Sequence, residues 1–302
     1  MSEPTAPAAQ NPPRKWLGPA GGWLIFAAML LFWLINLLWD QLVAHRIELS
    51  PNTLALGGFG MASAFIYTMA YRLRPADGVT PLRLVLAFLF GGLFSSELAL
   101  FLEIFVGYIP VGSSANEALL VRELAGVIEE ACKLLAVVIA ARGLTVRNAR
   151  TGLFMGGAVG FGFAAFEDMR YAYGTLAAST HPSGQFLAVA EVTIGRDITG
   201  PLEHPIMSAF LAAALFAATR NGRFRVTTVV VGVYLVVAAV HGLIDTLPYL
   251  VQESVGGNAG NLLGTAVDLV LAIGLGVVWL IYTRRLRRRM FADGGLDSPV
   301  AE

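Results

Sequence analysis

The chain has 302 residues, of which 56% are hydrophobic and 14% are charged, and its 21 basic residues balance its 21 acidic ones. Soluble domains carry about 25% charged residues, so this composition excludes a soluble globular protein. Apolar stretches of about twenty residues recur along the sequence and predict an all-α, polytopic helical membrane protein. The single cysteine, Cys132, excludes an intrachain disulfide and a multi-cysteine metal site.

The apolar stretches predict about eight membrane-spanning helices between a short leader and a basic tail. The leader, residues 1–19, is expected to be disordered and cytoplasmic, and the tail, residues 284–302, is expected to be cytoplasmic as well. Residues 20–283 are expected to form one helical membrane domain, with spans four to seven as its catalytic core at about 120–250. The predicted spans cover residues 20–39, 52–72, 82–105, 121–141, 151–174, 198–219, 226–247 and 261–283.

The basic residues are sorted by position, which predicts the orientation of the chain. If the N-terminus is cytoplasmic, the inside segments hold 16 of the 21 basic residues: Arg14, Lys15, Arg72, Arg74, Arg83, Arg142, Arg147, Arg150, Arg220, Arg223, Arg225, Arg284, Arg285, Arg287, Arg288 and Arg289. Because Lys and Arg accumulate in cytoplasmic loops, both termini are expected in the cytoplasm of a bacterial-type cell, with the chain in its plasma membrane.

The predicted fourth span carries three ionisable residues whose cost in a membrane has to be explained. Its segment VIEEACKLLAVVIA holds Glu129, Glu130 and Lys133. Three ionised groups cost roughly 8–10 kcal/mol to insert, whereas the nine Leu, Ile and Val residues of residues 121–141 return about 3–5 kcal/mol. Glu129 and Lys133 are four residues apart and can neutralise each other. Glu130 lies about 100° around the helix and is expected to point elsewhere.

Ionisable residues of four consecutive spans are predicted to lie at one depth. At 1.5 Å per residue, Glu129 lies roughly 10 Å below the outer surface, and Glu167 lies roughly 10 Å before the outer end of the fifth span. His204 is placed about seven residues into the sixth span and His241 about six residues from the exit of the seventh. Carboxylates and imidazoles therefore converge in the outer third of the bilayer.

Spacing within the spans indicates residues that could support this layer. His241 and Asp245 are four residues apart, as are His204 and Ser208, so each polar partner could fix the tautomer of its histidine. Asp168 is a further supporting candidate. Glycines recur every four residues in the fifth span and predict close helix packing that holds Glu167 near its neighbours: Gly152, Gly156 and Gly160.

The predicted layer contains the groups of a hydrolytic site. Two histidines and a carboxylate form a typical catalytic zinc shell with one position open for water, so Glu167, His204 and His241 are candidate ligands. Glu129 or Glu130 is then the candidate general base, beside a water whose pKa the metal lowers toward ~7. In a metal-free alternative, a glutamate and a histidine activate the water and a second histidine stabilises the oxyanion.

Two other function classes stay open. Intramembrane carboxylates and histidines also relay protons or cations in coupled transporters. Transporter sites lie near the midplane on broken helices, and here only Pro201, Pro205 and Pro248 approach that pattern. A non-catalytic scaffold with a fossil site is the third reading. The expected partners are membrane lipid and a membrane protein, not nucleic acid, and the oligomeric state is open.

Four motifs resemble those of the PrsW family of intramembrane proteases. They are EEACK at 129–133, GFGFAAFED at 160–168, HPIMSAFLAAAL from His204 and HGLIDTL from His241. Their order and spacing match the family over about 120–250, and the chain is more distantly similar to the CAAX-prenyl-protease and bacteriocin-processing superfamily. The resemblance implies hydrolysis of a peptide bond near the outer membrane face, in single-pass proteins such as anti-sigma factors.

The resemblance also implies roles for individual residues. It assigns Glu129 and Glu130 to a catalytic pair, and the remaining site residues would be Glu167, His204 and His241. Lys133 and Asp245 would support them. Asp168 departs from the family pattern, which usually has Asn at this position, so the resemblance leaves its contacts undetermined.

Overall fold

A computed structural model of the chain describes residues 20–43, 78–109, 114–178, 192, 195–196 and 198–292. Of these residues 88% are helical and none lies in a β-strand, which confirms the all-helical prediction. The predicted leader, the predicted span at 52–72 and the last ten residues of the tail lie outside the described ranges.

Eight helices follow one another along the described ranges. They are α1 (Gly21–Leu38), α2 (Pro81–Leu89), α3 (Glu97–Gly107), α4 (Ser114–Ala140), α5 (Ala149–Ala178), α6 (His204–Ala217), α7 (Thr228–Val255) and α8 (Gly257–Ala292). A π-helical turn, Phe90–Ser96, joins α2 to α3, and a 3-10 turn, Gly200–Leu202, precedes α6. Another π-helical turn, Trp39–Val43, extends α1.

Four stretches within the described ranges are long and apolar enough to cross a membrane. They are Gly21–Leu38, Pro81–Gly107, Thr228–Val255 and Gly257–Arg289. The helices α4 and α5 are as long, but α4 carries six ionisable residues, and the glycine-rich sequence of α5 lowers its hydropathy. The chain is therefore a helical membrane protein, and the number of eight spans stays a prediction.

Several predicted boundaries differ from the structure: α4 begins at Ser114 instead of residue 121, and α8 continues to Ala292 instead of ending at residue 283. The sixth span was predicted at 198–219, but α6 begins only at His204, after a backbone kink at Glu203 (φ −109°, ψ −92°). His204 therefore starts a helix of 14 residues, about 21 Å long, instead of lying seven residues inside a span. The seventh span was predicted to end at residue 247, but α7 continues through Pro248 to Val255. Gly256 (φ 73°) and Gly257 (φ 57°) then allow the sharp turn into α8.

The helix α5 lies at the centre of the bundle and positions its neighbours. Every residue from Thr151 to Ala165 is buried. Three of its glycines face the backbone of α6, and a Cβ added at Gly160 would lie 2.6 Å from the His204 carbonyl oxygen. Gly152 and Gly156 meet α6 in the same way, which confirms the predicted close packing. The helices that carry Glu167 and His204 are thus held in backbone contact.

Candidate active site

Four helices bring the predicted layer of ionisable residues together in the interior. The pair Glu129 and Glu130 lies in the middle of α4 with exposed fractions of 4% and 0%. Glu167 lies on α5, His204 begins α6 and His241 lies on α7, and all three are buried. These side chains therefore lie near one another, as the sequence predicted, although His204 begins its helix instead of lying seven residues along it.

Lys133 lies at the centre of this cluster. Its Nζ atom lies 3.1 Å from Glu129 Oε2, 2.8 Å from Glu130 Oε1 and 2.9 Å from His204 Nδ1. It also lies 4.0 Å from the centroid of the Phe163 ring. The expectation that Glu130 points elsewhere is wrong, because residues three apart on a helix also meet. Pairing with two carboxylates explains how a fully buried lysine is tolerated.

Glu130 orients His241. Nδ1 of His241 lies 3.0 Å from Glu130 Oε1, and since a carboxylate only accepts, Nδ1 is the protonated nitrogen in this pair. Nε2 lies 3.4 Å from Glu129 Oε2 and 3.5 Å from Asp245 Oδ2. Asp245 was predicted to fix the tautomer; it faces Nε2 without a hydrogen bond in the described part of the chain, whereas Glu130 holds Nδ1.

Glu167 holds the second histidine. Nε2 of His204 lies 2.9 Å from Glu167 Oε2, and Nδ1 faces Lys133 and, at 3.8 Å, Glu129 Oε2. The rings of His204 and His241 meet edge to face with their centroids 5.0 Å apart. Each imidazole therefore has one nitrogen held by a carboxylate and the other directed toward Glu129, an arrangement common around metal ions.

The donor atoms of this cluster fit a metal ion. Among the described residues, Glu129, His204 and His241 each offer one ligand atom, and the three atoms lie within 4.8 Å of one another. Glu129 Oε2 and His241 Nε2 are buried and make no well-aligned hydrogen bond within the described part of the chain, although Lys133 Nζ lies 3.1 Å from Glu129 Oε2. A buried polar atom without a partner costs about 1–3 kcal/mol, and for His241 Nε2 a bound cation would remove this cost. Both nitrogens of His204 already have partners, so a metal ion would replace one of those hydrogen bonds.

The structure offers a second candidate ligand set beside the predicted one. Glu129 joins the two histidines, whereas the sequence pointed to Glu167. Glu167 Oε2 is already engaged by two donors, His204 Nε2 and Arg196 Nη2. The sequence places Glu129 and Glu167 at similar depth, but depth does not determine the direction in which a side chain points. The sequence therefore could not distinguish which of the two faces both histidines.

Arg196 is a site residue that the sequence did not reveal. Its Nη2 lies 2.6 Å from Glu167 Oε2, its Nε donates to Asp168 Oδ1, and its guanidinium carbon lies 4.1 Å above the Tyr171 ring. Arg196 lies far from α5 in the sequence and in no recognisable motif. The one hint was Asp168, whose extra charge in an apolar segment required a cation.

Ser208 has no contact that supports its predicted role. Its hydroxyl is buried and makes no hydrogen bond among the residues that the structure describes. The carbonyl of Ser208 packs against Gly156 of α5. Its support of His204 therefore stays a prediction without a structural basis.

A cleft leads to the cluster. It has a volume of about 410 Å³ and is lined by Glu103, Gly107, Val121, Arg122, Ala125, Glu129, Glu167, Tyr171 and Asp245. Glu129 and Glu167 are among its lining residues, whereas Glu130 and Lys133 are not. The arrangement can therefore hold a cation or a polarised water beside an opening large enough for a short stretch of peptide.

Comparison with known proteins agrees with this chemistry. A family model described as PrsW family intramembrane metalloprotease matches residues 80–289, more than half of the chain, and confirms the resemblance seen in the motifs. No curated protein and no solved structure matches the chain.

Proposed function

We propose that this chain, which belongs to the PrsW family of intramembrane metalloproteases and is a membrane-embedded peptide-bond hydrolase, cleaves single-pass membrane proteins near their extracytoplasmic membrane border. The observation that carries the proposal is the buried trio of Glu129, His204 and His241, of which Glu129 lines a cleft. Anti-sigma factors are the proposed substrate class.

Zinc is the metal that the donor set favours. One carboxylate and two imidazoles are ligands typical of catalytic zinc, and the bound ion would supply Lewis acidity and a water of lowered pKa. Magnesium and calcium prefer sites built from oxygen atoms alone. The trio would hold the ion, with Glu129 as the ligand nearest to the cleft.

The surrounding residues orient this trio. Glu130 accepts a hydrogen bond from His241 Nδ1, and Glu167 accepts one from His204 Nε2, so each imidazole keeps a fixed ring orientation. Lys133 balances the charges of Glu129 and Glu130. In a metal-free version, Glu129 is the group that takes a proton from water, because it lines the cleft and Glu130 does not.

The orientation of the chain follows from the arginines. Arg83 Nη1 donates to the carbonyl of Arg142 at 2.7 Å, and Arg147 donates to the carbonyl of Gly222. These contacts lie at the helix ends opposite to the cleft, so a cytoplasmic position for the arginines leaves the cleft on the outer side. The proposed arrangement has eight spans within residues 20–283, a catalytic core at about 120–250 and both termini in the cytoplasm of a bacterial-type cell.

Cleavage can be tested with reconstituted protein. The chain is placed in liposomes with a panel of single-pass anti-sigma factors, and new peptide termini are identified by mass spectrometry. Wild-type protein should cleave at the outer membrane border, and E129Q, H204A and H241A should each abolish cleavage while keeping the wild-type elution volume. Wild-type rates in all three variants would end the proposal, and ion flux through the liposomes without cleavage would favour a transporter instead.

A further inference from the structure

Arg196 joins two acidic residues of α5 from a segment that lies just before α6. Its Nη2 atom lies 2.6 Å from Glu167 Oε2, and its Nε atom donates to Asp168 Oδ1. The same Glu167 oxygen lies 2.9 Å from His204 Nε2. One carboxylate oxygen thus connects the guanidinium to the imidazole.

The guanidinium is held on a third side by an aromatic ring. Its carbon atom lies 4.1 Å from the centroid of the Tyr171 ring, and the side chain is only 24% exposed. Glu167 and Tyr171 both line the cleft. A planar fork with two carboxylates in its plane and a ring against its face has little freedom to rotate.

We propose that Arg196 is a positioning residue that locks Glu167 onto His204, and that Asp168 serves to hold the guanidinium in place for this task. This inference rests on the proposed function and adds a residue to its machinery. Without Arg196, the Glu167 carboxylate would be free to turn away from His204, and the imidazole would lose the contact that fixes its direction toward Glu129.

The expected effect of removing Arg196 can be estimated from the known effect of removing similar partners of metal-binding residues. Removing a hydrogen-bonded partner of a metal-binding histidine or its carboxylate typically lowers metal affinity or activity about 10- to 100-fold. Arg196 acts one contact further out than Glu167, so R196Q should lower kcat about tenfold and leave KM within about threefold. Lysine keeps the charge but lacks the fork, so R196K should recover part of the loss.

Arg170 provides a matched control. Its Nη1 atom lies 3.7 Å from Glu97 Oε1 and donates to the carbonyl of Ser96, and its side chain is 31% exposed. It lies two residues from Asp168 on the same helix but contacts α3 and the π-helical turn instead of the site. R170Q removes an equal charge at similar burial and should keep wild-type kcat.

A double-variant cycle separates positioning from general stabilisation. E167Q, R196Q and E167Q/R196Q are compared by cleavage of a single-pass anti-sigma factor in liposomes and by Zn²⁺ affinity in detergent, measured by competition with a chromophoric chelator. If Arg196 acts through Glu167, the double variant is no slower than E167Q and binds zinc no more weakly. The inference would be overturned if the losses of E167Q and R196Q multiplied in the double variant. A kcat for R196Q within twofold of wild type, or an equal loss of kcat in R170Q, would also overturn it.

The two readouts keep the inference distinct from the proposed function. If wild-type protein cleaves none of the substrates, the proposed function fails, but the zinc affinities still decide whether Arg196 and Glu167 act together. If R196Q does not fold, R196K replaces it, and a zinc affinity and kcat for R196K equal to wild type would then contradict a role for the guanidinium fork.

Discussion

Gly126 controls the distance between the two halves of the site. It lies on α4 one turn before Glu129 and Glu130, where it touches the backbone of α7. A Cβ at this position would lie 2.7 Å from Gly242 N and 3.1 Å from His241 Cβ, and it would overlap the carbonyl oxygen of Ala238. The perturbation is therefore G126A, which adds one methyl group and no charge.

The size of the effect can be worked from these distances. Restoring an ordinary contact of about 3.4 Å to Gly242 N requires α7 to move by at least about 0.7 Å, because the Ala238 carbonyl oxygen lies nearer still. Such a shift away from α4 would lengthen the 3.0 Å contact between His241 Nδ1 and Glu130 Oε1 to about 3.7 Å, beyond hydrogen-bond distance. Losing a buried, charged hydrogen bond costs about 1–3 kcal/mol, and a misplacement near 1 Å costs about 100-fold in rate.

The control for G126A is G232A, which adds the same methyl group at a glycine of α7. Gly232 also lies on α7, but no described atom lies within 4 Å of a Cβ added there, so G232A should fold and cleave normally and gain up to about 1 kcal/mol in stability. Cleavage rates, Zn²⁺ affinity and thermal unfolding in detergent are measured for both variants. A G126A protein with wild-type cleavage and zinc affinity would refute the claim that helix contact at Gly126 sets the site geometry.

Three further variants test other parts of the site. K133M should lower the free energy of unfolding by about 3–5 kcal/mol, because two buried glutamates lose their cation, and added Zn²⁺ should stabilise it more than wild type. The control is E97Q, which breaks an exposed ion pair. A K133M protein as stable as wild type would contradict the assignment. H241A should retain less zinc than wild type after gel filtration, measured by atomic absorption, and equal zinc content would remove His241 from the ligand set. S208A should keep wild-type cleavage, because the hydroxyl makes no hydrogen bond in the described part of the chain, and a tenfold loss would show a role that its contacts do not explain.

Depth along a helix was predictable from the sequence, whereas direction was not. A fixed rise per residue places Glu129, Glu167 and His241 at one level once the span ends are known, and the structure brings them together. The direction of each side chain depends on how the helices cross, so Glu130 was expected to point away but contacts Lys133 and His241. For the same reason the sequence did not show that Glu129 approaches both histidines, whereas Glu167 contacts His204.

Arg196 marks a different limit of sequence reasoning. Residues on one helix constrain each other through its period, but Arg196 reaches α5 across a long connection whose path no local pattern determines. Asp168 gave the only trace of this contact, since a carboxylate inside an apolar helix requires a partner. His204 shows a related limit: Pro201 and Pro205 were visible in the sequence, but the kink at Glu203 that starts α6 at His204 was not.

The spacing of the two histidines depends on residues that carry no chemistry. Gly160 lets the backbone of α6 touch α5 at His204, and Gly126 lets the backbone of α7 touch α4 at His241. A methyl group at either position would push its histidine away from Glu129, which lies between them at 3.8 Å and 3.4 Å. In a site held by ion pairs alone, the charged side chains could rearrange and pair with other groups. Helices in backbone contact cannot slide or separate without breaking their packing. The glycines therefore determine where the candidate ligand atoms lie, and Glu130, Lys133 and Glu167 determine how those atoms are oriented.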